Sequence, residues 1–126
     1  MQRLFALAVC MTFVSLAAAA ETPALFHMSV KDVPVENGKM LDMAFHEIAR
    51  EPDSSTVHVV RRSGGSVSSS MFIVRGMCGV ARSRGERFFQ SERIEGEAER
   101  YLVTFPKTEP SPGTAFTMTQ CDLMGY

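Results

Sequence analysis

The sequence predicts an α+β domain: one amphipathic helix packed on a four- to five-stranded antiparallel sheet, a single small domain with one disulfide. Three observations predict it. Short segments rich in β-branched and aromatic residues recur between turn signals, which gives consecutive strands in a meander. Leu41, Ala44, Phe45 and Ile48 stand at helical spacing, which gives one apolar helix face. Two cysteines, Cys78 and Cys121, lie outside the N-terminal leader.

In that leader Arg3 supplies a positive charge, Leu4 to Leu16 an apolar run, and Ala18-Ala19-Ala20 an A-x-A cleavage pattern before Glu21. The run falls short of the about 20 apolar residues of a membrane span. Residues 1–20 are therefore expected to be a cleaved secretory signal and residues 21–126 the domain, periplasmic or secreted, with no stable membrane insertion after cleavage. Bulky Val9 before Cys10 argues against a lipid-modified cysteine. The mature chain keeps 106 of the 126 residues, with 12 basic and 14 acidic side chains. Such a balance excludes a general affinity for nucleic acid or anionic membranes. A single cysteine pair in an oxidising compartment predicts the disulfide Cys78–Cys121. It closes a loop of 43 positions, worth about 4 kcal/mol in the chain-entropy model.

Along the domain, Phe26, Met28 and Val30 alternate with polar residues and predict a half-buried strand that Pro34 ends. Lys39 to Arg50 reads as the helix, with Asp42, Glu47 and Arg50 toward solvent and Pro52 just past its end. Thr56 to Arg62 is a Val-rich strand, and the serines and glycines from Ser63 to Ser70 form a hairpin loop. Met71 to about Ala81 is expected to be the central strand, with Gly76 and Gly79 marking a bulge or a close approach by another element. Ser83-Arg84-Gly85 turns the chain into a strand over Glu86 to Ile94, and Glu95-Gly96-Glu97 turns it into another over Arg100 to Phe105. Pro106 to Gly113 holds three prolines and reads as a stiff connection. Ala115 to Cys121 is the last strand, so that the disulfide ties the central strand to the final one.

The chemistry is less specific. His27, His46 and His58 show no metal-motif spacing, and His46-Glu47 lacks the second histidine of H-E-x-x-H. No serine stands in a G-x-S-x-G elbow, and Asp42 and Glu47 do not converge by local geometry. Cys78 with His58 fails as a nucleophile pair once Cys78 is oxidised. The expectation is a non-enzyme without a cofactor. Met40, Met43 and His46 at spacing of three, repeated by Met118, Cys121 and Met124, form a soft-ligand set suited to Cu(I). The same spacing also describes an ordinary core face. Arg61, Arg62, Arg75, Arg82, Arg84 and Arg87 crowd the middle of the chain. They read either as an anion site on one sheet face or as cross-strand partners of nearby glutamates. The leading expectation is a small exported non-catalytic binding module, possibly inhibitor-like, for a protein or an anionic envelope polymer, using the exposed sheet face and loops. The alternative is a periplasmic Cu(I)-binding protein.

Overall fold

The computed structural model describes residues 24–30, 42–62 and 67–126. The expected signal segment lies outside them. Among the described residues the chain forms β1 (His27–Ser29), β2 (Met43–Glu51), β3 (Ser54–Arg61), α1 (Val67–Ser83), β4 (Phe88–Arg93), β5 (Arg100–Thr104), β6 (Phe116–Thr117) and α2 (Met118–Leu123). All six strands join one sheet, in the order β1-β2-β3-β5-β4-β6, and every neighbouring pair is antiparallel. The α+β class stands. The sheet has one strand more than the upper expectation, and a second helix closes the chain.

The segment expected to be the helix is a strand. Of Lys39 to Arg50, the part from Met43 onward is β2, paired along its length with β3 from Met43↔Arg61 to Glu51↔Ser54. Residues 39–41 lie outside the described residues. The pairing register shifts between Glu47 and Ala49, and Ile48 is the residue left over. Such a bulge sets two residues of one strand against one of its partner. It carries Arg50 onto the same face as Glu47, where a regular strand would send positions three apart to opposite faces. Glu47, expected in solvent, is fully buried.

The segment expected to be the central strand is the main helix. α1 spans Val67–Ser83 and takes in part of the expected serine loop as its first turn, with Ser69 buried there. Ser69, Phe72, Gly76, Val80 and Ala81 are all buried, at the spacing of one helix face. The close approach expected at the glycines is real. A Cβ at Gly76 would overlap the Phe45 ring, and one at Gly79 the Phe26 ring. These rings pack edge to face with centroids 6.0 Å apart. The two glycines let the helix sit close on the sheet despite a helix-propensity penalty of about 1 kcal/mol each. Gly85, at φ 67°, ends the helix: its N–H reaches Arg82 O at 3.1 Å and the Glu86 N–H reaches Ala81 O at 2.9 Å. That is a Schellman close, in which glycine takes the left-handed position.

The core lies between α1 and one face of the sheet, where Met43, Phe45, Val57, Val59, Val103 and Phe105 meet Phe72, Met77 and Val80. The expected last strand is mostly helix: only Phe116–Thr117 pairs with β4, and α2 follows at once. Its start is a capping box. The Gln120 N–H donates to Thr117 Oγ1 at 3.1 Å, and the Thr117 N–H donates to Gln120 Oε1 at 2.9 Å. The disulfide Cys78–Cys121 is present with Cα atoms 5.9 Å apart, and it joins two helices rather than two strands. Both cysteines are fully buried. The bond fits an oxidising compartment. Among the described residues no helix is long and apolar enough to cross a membrane.

Candidate functional site

Side chains alternate across a sheet, so the strands that build the core also build a second face. On that face stand Ala44 and His46 of β2, Thr56, His58 and Val60 of β3, Arg100, Leu102 and Thr104 of β5, and His27 of β1. They are exposed or half-buried. Register puts four of them in one line: His27 opposite His46, His46 opposite His58, and His58 opposite Arg100. The chain has three histidines, and all three stand in this row. His27 Nδ1 and His46 Nδ1 are 2.8 Å apart, with ring centroids at 5.1 Å. Burial, and then the neighbouring charges of His27 and His58, lower the pKa of His46 below the usual histidine value. Arg100 ends the row and is 3.5 Å from Glu97. No sequence spacing announces the row, since the histidines are 19 and 12 positions apart. Only pairing of β1, β2 and β3 gathers them, and reading β2 as a helix hides it.

The six arginines do not assemble on one sheet face. Arg61 and Arg62 close β3, where Arg61 lies 3.7 Å from Glu99 and Arg62 3.5 Å from Asp42. Arg75 and Arg82 belong to α1. Arg75 stacks over the Tyr126 ring at 5.1 Å, and Arg82 pairs with Asp122 of α2 at 2.7 Å. Arg87 lies over Phe88 at 5.4 Å. Arg84 is a clamp on the β2–β3 turn. Its two terminal nitrogens donate to Ser54 O and Ser55 Oγ, both at 2.9 Å, to Glu51 O at 2.6 Å and to Pro52 O at 2.9 Å.

The soft-ligand set loses its geometry with the helix that carried it. On β2, Met43 points into the core and His46 points to the other face. Met40 lies outside the described residues. Cys121 is in the disulfide and offers no thiolate. Met118 and Met124 are half-buried against the core. Among the described residues no three histidine, cysteine, aspartate or glutamate side chains already form a metal-holding group.

A polar cluster around the buried Glu47 serves the fold. Glu47 accepts from the Phe26 N–H at 3.0 Å, from Arg50 Nε at 2.9 Å and Nη2 at 2.6 Å, and from the Ser55 hydroxyl. Burial opposes its charge, but the hydrogen bonds from Arg50, Ser55 and Phe26 outweigh it and hold the carboxyl below the usual glutamate range. With its oxygens so occupied, Glu47 has no free lone pair facing solvent for acid–base work. A shallow groove is lined by Arg87, Phe88, Glu109, Thr117, Met118 and Thr119. Glu109 is its one carboxylate, and no histidine or cysteine faces it. Compared with known proteins, the chain matches no family model, no curated protein and no solved structure.

Proposed function

We propose that the chain is a small exported binding module, not an enzyme, that docks a protein partner on the sheet face opposite α1. The observation that carries this reading is the face itself. Its centre mixes apolar Val60, Leu102 and Ala44 with Thr56 and the histidine row, and the described helix that lies on the sheet, α1, packs on the opposite side. Ala44, His46, Thr56, His58, Val60 and Leu102 at that centre include no aspartate, glutamate, lysine or arginine, and depletion of such residues marks the core of protein–protein interfaces. A protein partner suits it better than a polyanion. Four of the six clustered arginines already face acceptors within the chain, and the others lie over aromatic rings.

The test is capture from envelope extract by the oxidised mature chain, run beside Leu102→Glu and Thr56→Lys. These residues are cross-strand neighbours on the face opposite α1. The reading predicts a saturable protein partner whose affinity falls by about tenfold or more in either variant, a loss of about 1.4 kcal/mol, with the melting temperature little changed. Retention of the same partner by both variants, or no saturable partner, overturns it.

A further inference from the structure

We propose that His27 and His46 form a two-imidazole chelate for a divalent transition-metal ion of the Zn²⁺ or Cu²⁺ class, with water completing the coordination. The site lies on the face assigned to docking above, but it does not rest on that reading, because metal binding is measurable without a partner.

Two imidazole nitrogens on neighbouring strands already stand 2.8 Å apart, Nδ1 to Nδ1. Nitrogens bound to one tetrahedral zinc, each at about 2.0–2.1 Å, are about 3.3 Å apart. The two nitrogens share a hydrogen bond, so the donor ring has to carry its proton on Nε2 instead, and both rings turn as the pair opens by about half an ångström to admit the ion. The backbones that carry them are fixed in register by the β1–β2 ladder, so the ligands are brought together before the ion arrives and little ordering is left to binding. Neutral imidazole suits zinc and copper, and prefers them to calcium or magnesium, which take oxygen ligands. His58 is opposite His46 on the far side of the pair. Its ring is not gathered with the other two into a three-ligand group, so the pair is the site and His58 its neighbour. Arg100, the nearest cation of the row, is two strands from His46 and lies beside Glu97.

The experiment titrates the oxidised mature chain with ZnCl₂ at neutral pH. Calorimetry gives the affinity, and ¹H–¹⁵N spectra of the imidazole rings give the ligands. Variants His27→Ala, His46→Ala and His58→Ala are titrated alongside, each checked for an unchanged melting temperature. The expected result is one zinc per chain, with the His27 and His46 ring signals moving first. His27→Ala and His46→Ala each lose at least the ~10–100-fold in affinity that even an outer-sphere partner commands, and His58→Ala loses less than either. Zinc binding that is not saturable, or that survives both His27→Ala and His46→Ala, overturns the proposal. So does a site abolished by His58→Ala and untouched by His27→Ala. Partner capture repeated with a chelator separates the two readings: a partner held without metal leaves docking intact whatever the zinc titration returns.

Discussion

Single residues divide into those that hold the fold and those that stand free of it, and two arginines show the contrast. Arg84 fits four acceptors of the β2–β3 turn and lies over the Phe105 ring at 4.7 Å. Arg62 is 72% exposed and meets Asp42 at 3.5 Å. Arg84→Ala should destabilise the chain by about 2 kcal/mol, as loss of hydrogen bonds to a charged donor does, and Arg62→Ala by less than about 0.5 kcal/mol, as for exposed ion pairs. Urea unfolding midpoints measure both. Glu47 belongs with Arg84. Removing it leaves Arg50, 17% exposed, without its carboxylate, and Glu47→Ala should cost about 3 kcal/mol or more. Its pH signature has a definite sign. The folded carboxyl is held below its ordinary value, so the native state binds fewer protons than the unfolded state in acid. The stabilisation is present above an unfolded pKa of about 4.3 and is lost as pH falls through the folded pKa. Unfolding midpoints at pH 6 and pH 3 should differ more in the parent chain than in Glu47→Gln.

At the scale of elements, most of the strands were legible, and β2 and α1 were not. β3, β4 and β5 follow from alternation and turn residues, and each lies within about two residues of its expected bounds, the ordinary uncertainty of element ends. β2 deceives because its bulge breaks the period. Glu47 is buried and Ile48 is 40% exposed, the reverse of what composition suggests, and Leu41, Ala44, Phe45 and Ile48 then imitate a helix face. α1 deceives in the opposite sense. Ile73, Val74, Val80, Gly76 and Gly79 are poor helix formers, yet the two glycines exist for contact with Phe45 and Phe26. Packing overrides propensity there. The start of α2 is legible in the sequence: Thr117-Met118-Thr119-Gln120 spells its capping box. Gly76→Ala should destabilise the chain by about 1–3 kcal/mol through overpacking, although alanine is the better helix former by about 1 kcal/mol. Thermal unfolding followed by circular dichroism checks the sign.

For the whole molecule, the compartment-based pairing of two cysteines carried further than the secondary structure did. Cys78–Cys121 is present although both partners sit on elements other than those expected. Parity and compartment do not depend on helix or strand. The bond closes 43 positions, and its replacement by Cys78→Ser with Cys121→Ser should lower stability by about 4 kcal/mol in the chain-entropy model. Urea unfolding of the double variant and of the oxidised parent measures the difference. The site was not legible for a topological reason. A row of histidines from three strands exists only once the sheet is paired, and one strand read as a helix removes the middle ring.

The most direct test is therefore the neighbourhood of His46. In nuclear Overhauser spectra of the oxidised chain, the His46 ring should show contacts to both the His27 and His58 rings, and residues Met43 to Glu47 should show cross-strand contacts to β3. Sequential helical contacts through 43–50, with no contact from His46 to either histidine, would contradict the account at its root.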